Sequence, residues 1–325
     1  MKSKTRLTND VVVVGAIYLD FNLLGQMPLA FNVHRDHEVI GSDYKVAAGG
    51  SAYVFAKALK SLGLKTALLA QAGVDPAGRI LSQEISKDKV KVKLLVKGKV
   101  QTNISANVSG DHNDSLTITA GNANQRLDAK KVLSQAKRLL AGARVFYIGG
   151  YFKMSQLAKA YLALAKFCQK RKILVVLDHG TVHAKVSRAD LRNLYRLLQY
   201  VNYYLPNQEE FLRAMQAKNL RQAFQRSQKF SKPTIVVKLG RQGAVLFEKH
   251  KVVNVQAFRV PIMHTVGAGD SFNAGFIYGI LNKLPIHKAL RVGNAVAALR
   301  ISQPRLPTAR DIKKFLAKKI NTFDY

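Results

Sequence analysis

The chain has 325 residues, 48% of them hydrophobic, enough for one large α/β domain carrying an elaboration. It holds 52 Lys and Arg against 19 Asp and Glu, a formal net charge of +33, but the basic residues are scattered, with no basic tail or aromatic-basic repeat. That pattern argues for a solvated surface and against a dedicated nucleic-acid partner. The single cysteine, Cys168, excludes a disulfide framework and a thiolate metal site. With no apolar run of about eighteen residues and no signal-peptide core, the expectation is a cytoplasmic protein that does not engage a membrane.

Val11–Val14 followed by Gly15 reads as a fully buried strand of a parallel sheet. Asp20 follows at its carboxyl end, the edge where open α/β sheets bind ligands. Residues 21–46 lack a helical period and suggest short strands outside the main sheet. Gly49-Gly50 opens a helix with apolar positions Val54, Phe55, Ala58, Leu59 and Leu62, closed by Gly63. Those paired glycines either admit a ligand to backbone N–H groups or relieve crowding of helix on sheet. Thr66–Ala72 is the next buried strand. From Val90 to Thr119 the period becomes two, with Lys91, Lys93, Lys97 and Lys99 on one side and Leu95 the lone apolar residue among them. These strands predict a small projecting sheet that acts as a lid, or else a sheet extension or dimer contact.

The remainder alternates regularly. A helix over about 128–140 precedes a strand at Val145–Ile148, and a helix over about 155–170 precedes a strand at Ile173–Leu177 that ends at Asp178. Two further strands, Val201–Leu205 and Ile235–Leu239, run into Pro206-Asn207-Gln208-Glu209-Glu210 and Gly240-Arg241-Gln242-Gly243. Asn207 and Glu210 have the spacing of a capping box and also stand at a strand's carboxyl end, so a structural and a functional role coincide. Finally His264-Thr265-Val266 enters Gly267-Ala268-Gly269-Asp270, and an apolar helical pattern continues through Phe276, Ile277, Ile280 and Leu281. N–H groups converging at that helix start make an anion cradle. Asp270, at its mouth, is placed to take a proton from an attacking hydroxyl, unless it only caps the helix.

With these stretches in this order the chain resembles the ribokinase-like, or PfkB, carbohydrate and nucleoside kinases over essentially its whole length. Thr265 to Asp270, continued by Ser271-Phe272 and Gly275, is similar to the family's C-terminal signature; Gly49-Gly50, with Gly63 and Gly73, to its N-terminal signature. Asn207-Gln208-Glu209-Glu210 matches the family's Asn-x-x-Glu, and Gly15 with Asp20 its first substrate loop. The resemblance implies a single α/β kinase domain over 1–325. Its fold would be a doubly wound, mostly parallel sheet flanked by helices, with a β-sheet lid from about 16–46 and 90–120.

The activity so implied is MgATP-dependent transfer of the γ-phosphoryl group to a hydroxyl of a sugar or sugar-like molecule. The alternatives are a nucleoside kinase, or a degenerate member that binds a ligand or nucleic acid without turnover. Carried over, Asp270 is the base and Gly267, Ala268 and Gly269 supply N–H groups to developing phosphate charge. Asp20, Gly49 and Gly50 contact substrate. Asn207, Gly240, Gly243, Thr265 and Asn294 flank ATP, and Glu210 holds Mg²⁺ through water. A homodimer through the lid is a further expectation. The chain departs from the family at Val54, where a substrate-binding Asn is usual, at His264 in place of Asp, at Gly180 in place of Asn, and at Asp114-Ser115, where sugar-specific members often carry Arg. An Arg often found near Asp178 is missing as well. Catalytic parts survive better than substrate parts, which disfavours ribose as acceptor and stimulation by K⁺.

Overall fold

Val11 and Val13 point into one apolar core while Val12 and Val14 point into another, so the strand they form can lie only inside a sheet covered on both faces. The structure, a computed structural model, describes residues 9–27, 43–110, 115–181, 186–248 and 251–320. In it that strand, β1 (Val11–Gly15), sits within a nine-stranded sheet. β4 (Thr66–Gly73) and then β5 (Lys91–Lys97) lie on one side of it. On the other side come β8 (Val145–Gly149), β9 (Leu174–Asp178), β10 (Tyr203–Tyr204), β11 (Thr234–Lys238), β12 (Ala244–Glu248) and β13 (Lys251–Val255). Pairing is parallel from β5 through β11 and antiparallel for β12 and β13.

Helices cover both faces. α1 (Ser51–Ser61), α8 (Ala268–Leu281) and α9 (Ile286–Ser302) pack on the face that receives Val11 and Val13. α3 (Ala129–Leu139), α4 (Ala158–Lys170) and α5 (Arg188–Leu198) pack on the other. α8 is apolar nearly all round, with Phe276 and Ile277 fully buried. Each such side chain contributes about 1.5–3 kcal/mol of transfer free energy, which fixes the polar first turn of α8 firmly at the sheet's carboxyl edge. Cys168 is buried in α4, away from that edge.

A second sheet of four strands, in the order β3 (Asp43–Gly49), β2 (Tyr18–Met27), β6 (Ile104–Gly110) and β7 (Ser115–Ala120), projects from the first. Its pairing is mixed: β2 runs parallel to β6 and antiparallel to β3, and β7 is antiparallel to β6. One expectation is corrected. The segment at Lys91–Lys97, assigned to the lid by its alternation, is β5, paired in parallel with β4 at the edge of the main sheet. Alternation marks any half-covered strand, and Leu95 carries the distinguishing signal: it packs against the second core, while Val92 and Leu94 pack against the first. The exposed Lys91 and Lys93 therefore blunt a main-sheet edge and do not line the lid. Residues 28–42 and Asp114, also part of the lid expectation, lie outside the described residues.

Candidate active site

The ends of β1, β9 and β11 and the start of α8 meet along one edge. α8 begins after Gly267, whose φ of 79° is left-handed. The first intrahelical bond runs from Ser271 N to Gly267 O, so the N–H groups of Gly269 and Asp270 precede it and have no carbonyl of the helix to meet. Ala268 N–H is instead donated to Thr265 O at 3.2 Å. The cradle thus presents Gly269 and Asp270 N–H to an anion, while Ala268 closes the turn beneath them. Burial pushes the Asp270 carboxyl up to about 8, with Asp178 and Glu210 adding to the effect and Lys238 opposing it.

Behind Asp270 lies a buried polar network. Asp178, the last residue of β9, accepts through Oδ2 from Lys238 Nζ at 2.8 Å and from Asn273 Nδ2 at 2.6 Å. Its Oδ1 accepts from Gly180 N at 2.9 Å. Asn273 also donates to the Tyr147 hydroxyl at 3.0 Å and accepts from Lys238 at 3.4 Å. Burial alone would raise the Asp178 carboxyl, but Lys238 outweighs it and holds the group below its ordinary range. Lys238 is raised in turn, since Asp178 and Glu210 overcome the desolvation of its ammonium.

Lys238 is also tied to the neighbouring strand end. Its backbone N donates to Pro206 O at 2.9 Å, and the bridge continues to Asn207. There α6 (Gln208–Ala214) starts with a complete capping box: Glu210 N donates to Asn207 Oδ1 and Asn207 N to Glu210 Oε2, both at 2.8 Å. The Glu210 carboxyl is pushed up to about 7 by burial and by Asp178.

From this centre a cavity of about 680 Å³ runs out between the β11–β12 turn and α9. Lys238, Arg241 and Arg259 bring positive charge to its lining, and Val260, Ile262 and Ala298 bring apolar surface. Gly240, Gly243, Thr265 and Asn294 all border it. Asn294 has both amide N–H groups committed, to Val255 O and Gln256 O at 3.0 Å each, so it shapes the wall and offers only its carbonyl oxygen. Gly243 is demanded sterically, because a side chain there would meet Val255 O at 2.1 Å.

Asp20 lies in β2 of the small sheet, beside Gly49. Its carboxylate fills the space a Gly49 side chain would take, 1.7 Å from that position, and burial pushes it up to about 7. Gly50 is left-handed, with a φ of 90°. Register places Asp20, Ser105 and Thr119 in one row of the small sheet, with Asn22, Asn107 and Thr117 in the next row of the same face. Asn107 accepts from Thr117 at 2.9 Å and donates to Asn22 at 3.2 Å. In these two rows the only charges are Asp20 and Lys45, and hydroxyl and amide groups make up most of the rest. Val54 reaches Gly267: its Cγ1 stands 3.0 Å from where a side chain on that glycine would begin.

Sequence reasoning named Asp178 only by its strand-end position and did not name Lys238, Asn273 or Tyr147 as site residues. Lys238 carried a signal, a lone charge ending the apolar run Thr234–Val237 at a strand's carboxyl end. Asn273, a buried amide within an apolar helix, carried another. As a metal centre the site is sparse: the described residues contain no group of three or more His, Cys, Asp or Glu side chains arranged to hold an ion. Both oxygens of Asp178 and one of Glu210 accept internal hydrogen bonds, which leaves one Glu210 oxygen and the Asp270 carboxyl. That donor set suits a divalent ion that keeps most of its water and arrives on a phosphate.

The model of the pfkB family carbohydrate kinases matches residues 8–310. A 5-dehydro-2-deoxygluconokinase of Geobacillus kaustophilus is 23% identical, over 96% of this chain and 95% of its own. A sugar kinase of Archaeoglobus fulgidus is 24% identical over 74% and 92%. Among solved structures, Arabidopsis thaliana ribokinase superposes with a TM-score of 0.75 at 19% identity over 95% of this chain and 99% of its own. The Methanocaldococcus jannaschii nucleoside kinase superposes with a TM-score of 0.72 at 21% identity over 96% and 99%. A family match across nearly the whole chain, with the same fold in these neighbours, makes this protein a member of the pfkB family of carbohydrate kinases.

Proposed function

We propose that this protein transfers the γ-phosphoryl group of MgATP to a hydroxyl of a polyhydroxylated, sugar-like acceptor. The observation that carries the reading is the position of Asp270. It stands in the first turn of α8, next to Gly269, which lines the cavity together with Lys238, and its backbone N–H precedes the first bond of the helix. The apolar lining suits a planar base, and Lys238 with Arg241 and Arg259 suits phosphates. Asp270 accepts the acceptor's proton as its oxygen attacks, and the N–H groups of Gly269 and Asp270 receive charge developing on the transferring group. When bound, Mg²⁺ would supply further charge neutralisation; the residue that would hold it, through water, is Glu210. Asp20 fixes an acceptor hydroxyl, oriented by the space Gly49 leaves.

A sugar-like acceptor is favoured over a nucleoside because the two lid rows that include Asp20 are a lattice of hydroxyl and amide groups with no aromatic platform for a base. Val54 stands where the family usually has a substrate-binding Asn and offers no hydrogen bond, so ribose should be a poor acceptor. The test is phosphoryl transfer from ATP across neutral sugars, sugar acids and nucleosides. A nucleoside preferred over every sugar would favour the alternative. No transfer to any acceptor would favour a non-catalytic family member.

The outer lid face supports a homodimer. Leu23, Tyr44, Leu116 and Ile118 share that face, opposite Asp20, and all four are exposed. A second copy of this chain, presenting the same face, is the partner we assign to it.

A further inference from the structure

Beyond lending charge to the cavity, Lys238 stands at the focus of the buried polar network. An ammonium has three N–H donors. Two are taken, by Asp178 and Asn273. The residue lines the 680 Å³ cavity, as Gly269 does, and its Nζ lies 3.7 Å from where a side chain on Gly269 would begin. The third donor is left over, on an ammonium that stands beside Gly269. Resting on the kinase reading, we propose that Lys238 is a catalytic residue whose third N–H binds a non-bridging oxygen of the transferring phosphoryl group.

The surrounding network fits that task better than a purely structural one. A buried Lys–Asp pair is a weak source of stability, because desolvation of both charges offsets their attraction. Here the pair is further clamped by Asn273, which Tyr147 holds from behind, so the ammonium has little freedom to turn. A fixed cation needs no reorganisation when charge develops, which is where such a group gains most of its effect. During transfer the acceptor O–P bond forms and the P–O bond to the β-phosphate of ATP breaks. The acceptor's proton passes to Asp270, ADP leaves, and Lys238 keeps its proton throughout.

The test compares the wild type with Lys238→Met and with the double variant Asp178→Asn/Lys238→Met, which retires the buried charge pair together and protects the fold. Three readouts are taken: melting temperature, turnover, and affinities for ADP and for AMP-PNP, an analogue that keeps a γ group. The expected result is a fall in kcat of about 10²–10³-fold in both variants, the scale seen when one preorganised donor is removed. AMP-PNP affinity falls with it, ADP affinity is unchanged, and the double variant melts close to the wild type. Recovery of turnover in the double variant, or equal losses of ADP and AMP-PNP affinity, would overturn the assignment. A wild type that binds AMP-PNP but phosphorylates nothing would sink the kinase reading. The difference between AMP-PNP and ADP affinities in the variants would then still decide whether Lys238 binds the γ group.

Discussion

Arg300 donates through Nη1 to Nε2 of His264 across 3.0 Å, and its Nε lies 3.7 Å from where a side chain on Gly267 would begin. A guanidinium only donates, so Nε2 of His264 is an unprotonated acceptor and the ring is neutral. Burial and the Arg300 charge both lower the His264 pKa, which agrees. A permanent cation therefore stands behind the cradle, at the threshold where the family usually places an aspartate. Turnover is expected to be the same in KCl and in choline chloride at equal ionic strength. A several-fold stimulation by K⁺ would contradict this arrangement.

Asp270 is expected to set both a pH limb and a stability cost. Its folded pKa of about 8 lies far above the ordinary carboxylate value of 3.8, so between those values the folded state holds a proton that the unfolded chain has released. Stability from this group is full below about pH 4 and is lost as pH rises toward 8. Asp270→Asn should accordingly raise the melting temperature by a few degrees at pH 8 and leave it little changed at pH 4. In the wild type, kcat/KM should rise through neutral pH with a limb near 8, as the base must be ionised. A limb below pH 6 would show that the free site does not hold the proton.

Gly267 and Gly269, on either side of Ala268, should respond differently to a methyl group. Gly267 has a left-handed φ of 79° and Val54 already stands 3.0 Å from the would-be Cβ, so Gly267→Ala strains backbone and packing together. A loss of about 1–2 kcal/mol in denaturant unfolding is expected. Gly269 is helical and its nearest neighbour, Lys238 Nζ, is at 3.7 Å, an ordinary contact. Gly269→Ala should unfold near the wild-type midpoint while slowing turnover, because the methyl crowds the entry to the Lys238 donor.

The outer lid face can be tested by sedimentation. Ile118 is 60% and Tyr44 69% exposed on it. Ile118→Lys should convert a dimer into a monomer without altering ADP affinity, since the substitution lies opposite the Asp20 face. A wild type that sediments as a monomer at all concentrations would remove the dimer assignment.

Much of this was legible in the chain because its signals were local. The Val11–Val14 run, the Gly267–Asp270 turn and the Asn207–Glu210 spacing each specify a conformation over a few residues. The capping box in particular is found as the spacing implied. Lys238, Asp178 and Tyr147 lie 35, 95 and 126 residues before Asn273, and only the parallel order of β8, β9 and β11 brings them to it. The misplacement of Lys91–Lys97 has the same root: a period of two says that a strand has two unlike faces and is silent on which sheet it joins. His264 read as a lost aspartate; Arg300, its partner 36 residues on, turns the change into a paired one.

The most direct measurement is transfer of the γ-phosphate of radiolabelled ATP to a panel of sugars and sugar acids by the wild type and by Asp270→Asn. A labelled phosphate ester is expected from the wild type. In Asp270→Asn its formation should fall by about 10²–10⁴-fold, the usual worth of a positioned general base, with ATP affinity retained. Equal rates of product formation by the two proteins would contradict the assignment of Asp270.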